Sequence, residues 1–409
     1  MRWIIFIVFY LVLGFYAFQS VKTITKNNWV HYIFILISLI VLGNFIFQFT
    51  QGGQSRLMTT KMSYAFGFLI SFIAFFLFVI PLLFAEDIYR VGAGVYQKFI
   101  GSSQGFTIPS RRRFISTMAL GIAAIPFSSL LYGMFRGKYN FKVLRYTLQF
   151  DDLPDAFDGY KITQISDIHS GSFDNKEKIE YAVELVNEQA SDVILFTGDM
   201  VNNIADEMLP WKDTFAKLKA KDGKYSVLGN HDYGDYVSWD SPDKKKQNLE
   251  QLKDIQKEIG FDLMLNESRY LQKGNDRIAL IGVENWGAGG FKKAGDLKKA
   301  VTDIDANDFK ILMSHDPSHW ENQVIQDDYH YHLTLSGHTH GMQFGIEIPG
   351  LIKWSPVKWR YKYWAGIYEE LGQYINVNRG FGYLAYPGRV GIWPEITVIE
   401  LKKSKDITV

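Results

Sequence analysis

The sequence predicts an α/β protein (α+β layered) in two parts: a membrane anchor with about four transmembrane helices over residues 1–136, and a layered domain of strands and helices over residues 137–409. Apolar stretches dominate the first third of the chain. Beyond Arg136 short β-rich runs alternate with helix-like segments, and five of those runs each end in a polar cluster, often flanked by glycine.

The anchor is read from Trp3 to Phe18, Trp29 to Phe49, Tyr64 to Phe84 and Phe114 to Phe135. The last three approach the roughly 20 residues a spanning helix needs, and the first is near the lower limit. Buried globular helices are the competing reading, but such runs without an internal charge are rare in water-soluble domains. The stretch "SRRRFISTMALGIAAIPF" from Ser110 resembles a twin-arginine export signal, here internal rather than at the start. Whether signal or ordinary positive flank, it puts Arg111, Arg112 and Arg113 on the cytoplasmic side, so the domain is expected outside. Arg136, Lys138, Lys142 and Arg145 beyond the fourth stretch weigh the other way.

A formal net charge of +1 argues against nucleic acid as a partner, because duplex binders carry a basic face. The absence of cysteine excludes disulfides, thiolate metal sites and a cysteine nucleophile.

In the domain, "YKITQIS" leads into "DIHSG", "DVILFT" into "GDMVNN", "YSVL" into "GNHDYGD", "FKILMS" into "HDPSH" and "LTLS" into "GHTHG". Helices are expected at Lys176 to Gln189, with Ile179, Val183 and Val186 on one face, and at Asp243 to Ile259, with Lys244 to Lys246 solvated. Loops at the carboxyl ends of such strands gather at one edge, where ligand sites form. Asp167, His169, Asp199, Asn230, His231, His315, His338 and His340 would meet there. That mixed oxygen and nitrogen set suits Mn, Fe, Zn or Ni better than Ca or Mg. It is too large for one ion, and two ions about 3.5 to 4 Å apart would use all of it.

The order D-x-H, GD, GNHD, H, GHTH resembles the calcineurin-like metallophosphoesterase family, over roughly residues 158–401. The tail "INVNRGFGYLAYPGRVGIWPEITVIEL" resembles the closing segment of its bacterial membrane-associated branch, that of the YkuE and YaeI phosphoesterases. That branch usually has GHTHGGQ, and here Met342 replaces a glycine. The resemblance implies a two-layer β sandwich flanked by helices, holding two divalent metal ions. Asp167, His169 and His340 would bind the first ion, Asn230, His315 and His338 the second, and Asp199 would bridge them. His231 would face the leaving group as general acid or transition-state stabiliser, with Asp232 orienting its ring. Asn202 stands where many relatives carry the second Asp of GDxxD, which bears on tuning rather than on metal binding.

The remaining histidines are expected to be structural (His319, His330, His332) or interfacial (His31). Arg379 and Arg389 either contact a substrate phosphate or make structural ion pairs and carbonyl contacts. The segment "LIKWSPVKWRYKYWAG" interleaves Trp354, Trp359, Tyr361, Tyr363 and Trp364 with Lys353, Lys358, Arg360 and Lys362. It reads either as a loop against a bilayer or as a strand with one buried face. The expected function is a membrane-anchored phosphoesterase acting on a phosphodiester or pyrophosphate, with a lipid or cell-envelope compound as substrate. The alternatives are a phosphomonoesterase, an inactive membrane sensor that keeps the fold, and a transporter, which would need ionisable residues inside the spans.

Overall fold

The computed structural model describes residues 1–51, 57–99, 109–348 and 350–404. The chain divides into two compact units, one of Met1–Gly53 with Lys61–Phe135, the other of Arg136–Val409 with Gln54–Thr60.

The first unit holds α1 (Arg2–Ile24), α2 (Asn28–Gln51), α3 (Thr60–Phe99) and α4 (Pro109–Phe135). All four are long and apolar enough to cross a membrane. Their outward faces carry exposed Val8, Val12, Phe15, Ile33, Leu36 and Ile40. A helix bathed in water would turn such residues inward, so these faces suit hydrocarbon. Inside, Tyr10 packs edge-on against Phe76 and its hydroxyl donates to the Ser38 carbonyl at 3.2 Å.

Two lengths differ from expectation. Helix α1 continues past Phe18 to Ile24, and α3 runs past Phe84 to Phe99. At 1.5 Å per residue α3 is about 60 Å long, roughly twice a bilayer's hydrocarbon core, so a straight crossing leaves the part beyond Phe84, which carries Glu86, Asp87, Arg90 and Lys98, outside it. Where the apolar part ends, Glu86 pairs with Arg111 at 3.2 Å and Asp87 with Arg112 at 3.3 Å.

The second unit is built on two sheets. In one, β1 (Lys142–Phe150), β14 (Glu395–Lys403), β2 (Lys161–Ile165), β3 (Val193–Phe196), β4 (Lys224–Ser226) and β5 (Asp262–Leu263) lie side by side in that order. In the other the order is β12 (Gly366–Glu370), β13 (Gln373–Val377), β9 (Leu333–Ser336), β8 (Lys310–Ser314), β7 (Asp276–Val283) and β6 (Glu267–Lys273). The central strands of each sheet are parallel: β2 to β5 in the first, β13, β9, β8 and β7 in the second. A separate hairpin pairs β10 (Ile346–Ile348) with β11 (Ile352–Trp354).

The four residues of β3 show how such a strand is buried on both faces. Val193 and Leu195 point to the other sheet, while Ile194 and Phe196 point to the helices. Between the sheets, Ile162, Val193, Leu195 and Val227 pack on Leu280, Ile311, Met313, Leu333 and Leu335. Outside the first sheet lie α5 (Lys176–Asn187), the single turn α6 (Lys212–Phe215) and α7 (Pro242–Ile259). Ile179, Val183 and Val186 of α5 and Leu252, Ile255 and Ile259 of α7 fill that layer. The second sheet is covered by Leu297 and Ala300 of α8 (Leu297–Ala300) and Trp320 of α9 (Ser318–Asn322). The domain is therefore the expected two-sheet sandwich with helices on both outer faces.

Local chemistry fixes the long helices. Asn175 caps α5 by accepting from Lys178 N, and Ser241 caps α7 with Pro242 in its first turn. Gly260 ends α7 at φ 94°, a left-handed conformation that glycine adopts without strain.

Candidate metal centre

Five parallel strands end beside one another, and the residues that follow them meet. Ser166 to His169 follow β2, Thr197 to Asp199 follow β3, and Val227 to Asp232 follow β4. From the second sheet come His315 after β8 and Gly337 to His340 after β9. Every residue expected at the site is brought together.

Two clusters emerge. In the first, His169 Nε2 lies 2.9 Å from His340 Nε2, and Asp167 Oδ1 lies 3.2 Å from His340 Nε2 and 4.0 Å from His169 Nε2. In the second, His315 Nε2 lies 3.0 Å from Asp199 Oδ2 and 3.3 Å from His338 Nδ1, which is 2.8 Å from Asn230 Oδ1. Asp199 Oδ2 is also 3.7 Å from His169 Nε2, so one oxygen faces both clusters. Ligand atoms about 2.0–2.2 Å from a common ion and at right angles to each other are about 3 Å apart. The spacing, the buried Asp and His donors and the two triads Asp167, His169, His340 and Asp199, His315, His338 fit two divalent cations. His169 Nδ1 is buried without a hydrogen-bond partner, while its Nε2 is turned into the cluster.

Neighbouring groups fix which imidazole atoms are presented. His315 Nδ1 donates to the Thr197 carbonyl at 2.7 Å, leaving Nε2 as the donor to an ion. The Tyr361 hydroxyl, 2.8 Å from His338 Nε2, leaves Nδ1 for the same purpose. Tyr236 takes the Asn230 amide hydrogen at 2.8 Å, so Oδ1 faces the site. Arg389, fully buried, lies 3.1 Å from His340 Nδ1 and donates to the Gly382 carbonyl.

The electrostatics are those of buried anions. Burial pushes the Asp167 carboxyl up, but the charge and hydrogen bond of His340 reverse this and hold it below the usual carboxylate range. Asp199 is likewise lowered, with His315 overcoming burial. Burial would lower His315, yet Asp199 and Asp167 push it up to about 10. Where no metal is bound, a proton on His315 carries part of the positive charge this set requires.

The His231 ring makes no hydrogen bond to either ligand cluster, although its backbone N–H donates to Asp199 Oδ1 at 2.8 Å. The ring Nδ1 donates to the Asn202 carbonyl at 2.6 Å, which leaves Nε2 available. Asp232, expected to orient that ring, does something else. Its carboxylate accepts from the backbone N–H of Gly229 at 2.9 Å, Asp199 at 2.9 Å and Met200 at 2.8 Å. It joins two loops, and a backbone carbonyl positions the histidine. The Asn202 side chain is turned away to Ser172 at 2.9 Å, and the Asn202 backbone N–H donates to the half-buried Glu207, whose pKa desolvation pushes up to about 7.

The two arginines left open are held by the protein itself. Arg379 is buried between Glu395 and Glu347, 2.5 Å from the latter, and Arg389 donates to the Gly380 and Gly382 carbonyls and lies against His340, with its Nη1 buried without a hydrogen-bond partner among the described residues. His319 bonds Ser314 and stacks on Trp286, and His332 joins Lys310 N to Asp152. Among the aromatics of the 351–366 segment, Tyr361, Tyr363 and Trp364 are buried, and only Trp359 is largely exposed. Sequence reasoning missed Tyr361 and Tyr236 as partners of ligands. A tyrosine six residues beyond Asn230 was the only available signal for Tyr236, and it is weak.

Comparison with known proteins places these features among relatives. Residues 160–342 match the family "Calcineurin-like phosphoesterase", and residues 1–138 match the family "Probable Calcineurin-like phosphoesterase, transmembrane domain". The metallophosphoesterase YkuE of Bacillus subtilis is 28% identical over 309 residues, covering 72% of this chain and 98% of that one. A transmembrane protein with metallophosphoesterase domain from Danio rerio is 26% identical over 297 residues, 71% of this chain and 63% of its own. Phosphodiesterase YaeI of Escherichia coli is 27% identical, over 71% of this chain and 99% of its own.

Glycine at 229 is dictated by space, since its φ of −98° is open to any residue. A Cβ there would fall 2.2 Å from Asp199 Oδ1. Gly229→Ala is therefore expected to displace the carboxylate shared by both clusters. Elemental analysis of the purified full chain should show loss of bound divalent metal, whereas Gly290→Ala, whose Cβ meets nothing within 4 Å, should retain it.

Proposed function

Since the chain belongs to the calcineurin-like metallophosphoesterases, a family of metal-dependent hydrolases, we propose that it hydrolyses a phosphodiester or pyrophosphate of a lipid or cell-envelope compound at a dinuclear centre. The observation that carries this reading is the position of Asp199 Oδ2, 3.0 Å from His315 and 3.7 Å from His169, between two otherwise separate ligand sets. A pair of divalent ions held there would draw charge from the phosphoryl oxygens and lower the pKa of bound water.

The chain's own residues do the rest. Asp167, His169 and His340 would hold one ion, and Asn230, His315 and His338 the other, with Asp199 shared. Asp199 keeps Oδ2 free for this role because Oδ1 is occupied by the His231 N–H at 2.8 Å. The Nδ1–H of His231 is committed to Asn202, so a proton passed to the departing oxygen would sit on Nε2. Preference for a diester is supported by the name of the relative YaeI, and a membrane-borne substrate by the four apolar helices.

Residues 1–136 would then be a multi-pass anchor with the catalytic domain outside the cytoplasm. Four consecutive crossings put Lys22, Lys26, Arg90, Lys98 and Arg111 to Arg113 on one side, and Arg2, Arg56, Lys61, Arg136, Lys138, Lys142 and Arg145 on the other, so the totals balance. The cluster Arg111 to Arg113 directly before the fourth span is what assigns the first side to the cytoplasm by the positive-inside rule, in which the acidic partners Glu86 and Asp87 count little.

Asp199→Ala should lose both metals and all turnover of a chromogenic phosphodiester, and retention of both would sink the bridging role. His231→Ala should keep its metal and slow by roughly 10² to 10⁴-fold. Metal loss in that variant would make His231 a ligand instead.

Sidedness is tested separately. The chain has no cysteine, and Leu371 is 77% exposed, so Leu371→Cys gives one reactive thiol on the domain. With the outer layer of cells made permeable, it should react with an impermeant maleimide while the inner membrane is intact. Reaction only after that membrane is broken would put the domain in the cytoplasm.

A further inference from the structure

The segment just beyond His340 is built inside out. Over residues 341–348 the alternation is regular, but Met342, Phe344, Ile346 and Ile348 are exposed, while Gly341, Gln343 and Gly345 are buried and Glu347 is half-buried. On the returning strand Ile352 and Trp354 pair with Ile348 and Ile346, with Ile352 exposed and Trp354 half-buried. Leu351 at the turn is 79% exposed, and Trp359 is 75% exposed.

The polar residues of the same hairpin are bonded back to the domain, Gln343 and Glu347 on the inward side. Gln343 donates to the carbonyls of Tyr386 at 3.0 Å and Gly388 at 3.1 Å and accepts from Leu384 N at 2.6 Å. Glu347 pairs with buried Arg379, and Lys353 donates to the Ala365 carbonyl with its ammonium over the Trp364 ring. A hairpin in water turns its apolar face to the core. Here the inward bonds fix the opposite register. Met342 even holds φ 54°, which glycine adopts freely and other residues at a cost.

We propose that this outward face, from Met342 to Trp359, docks into the headgroup layer of an anionic bilayer, and that the substrates are phosphate esters carried by amphiphiles at that surface. The bilayer is the occupant of choice for two reasons. Exposed Lys358 and Arg360 flank Trp359, and neither pairs with a carboxylate among the described residues, which is the composition that suits the interface of anionic lipid. The domain also begins directly after α4, a helix apolar enough to span, so a bilayer is always at hand. The consequence for substrate follows from two anchors. The hairpin leaves the chain six residues after ligand His340, and the next tyrosine after Arg360 bonds ligand His338. Arg360 lies 5.1 Å over the Phe291 ring, whose neighbour at 4.7 Å is the His338 imidazole. A headgroup anion drawn to Arg360 would therefore stand beside the metal centre. This substrate assignment rests on the phosphoesterase reading, whereas docking does not.

The test uses the full chain reconstituted in vesicles of phosphatidylcholine and phosphatidylglycerol. Leu351→Cys and, separately, Trp359→Cys carry an environment-sensitive fluorophore, with Leu371→Cys as control at the far end of β13 from the site. Nitroxide-labelled lipid should quench both hairpin labels at least about two-fold more than the control, as for groups sunk at the headgroup boundary. Quenching equal to the control at both positions would overturn docking and leave the face for a protein partner. Turnover of bis(p-nitrophenyl) phosphate in the same vesicles reports the chemistry independently: quenched labels on an inactive protein would support docking while removing the phosphoesterase reading.

Discussion

Two carboxylates with almost no access to water, Asp167 and Asp199, set the terms for everything around them. A buried anion must be paired or must hold a cation. Each aspartate uses its oxygens twice, once toward the cluster and once toward a backbone N–H of a different loop. Asp167 accepts from His338 N, and Asp199 from His231 N. Asp232 returns the favour by accepting from Asp199 N. The loops are thus fastened to one another by the groups that would hold the ions, and neither the ligand positions nor the loop path can change alone.

That fastening explains the unusual backbone. Asp167, His169, Asp199, His338 and His340 all have positive φ, between 48° and 71°. Such conformations cost of order 1–3 kcal/mol each and persist only where surrounding structure imposes them. The sandwich imposes them here by ending parallel strands at one level and turning each chain sharply, so that side chains point back across the edge. Close approach does the remainder. At Gly337 a Cβ would sit 2.2 Å from Asp167 Oδ2, so this loop passes where only glycine fits.

Much of this was legible in the sequence, and what was not shares a cause. Strand-end clusters announced the site because a polar residue after an apolar run is a visible change of pattern. The layered sandwich and both long helices followed from periodicity and from the family resemblance. Main-chain partners leave no such trace: the Asn202 carbonyl that holds His231 and the amides gathered by Asp232 could not be read from residue types. The reach of α3 was misjudged because the apolar run ends at Phe84 while the helix continues to Phe99. The aromatic stretch beyond GHTHG was ambiguous for a further reason. Period-two alternation gives two faces but does not say which is inside, and bonds from Gln343, Glu347 and Lys353 decide it.

Those inward bonds also make the hairpin rigid with respect to the site. Arg379 grips Glu347 from the end of β13, and Gln343, three residues after a ligand, is tied on both sides of its amide. A flexible loop could touch a membrane without consequence for the catalytic groups, since its motion would absorb the contact. A face fixed to His340 at one end and, through Tyr361, to His338 at the other cannot do this. Any surface that engages it acquires a defined distance to both ligand clusters. Under the proposed docking, specificity would arise from depth as well as from contacts: a phosphoryl group would be within reach when it lay at the level the hairpin selects, whatever the chemistry of the chain that carries it.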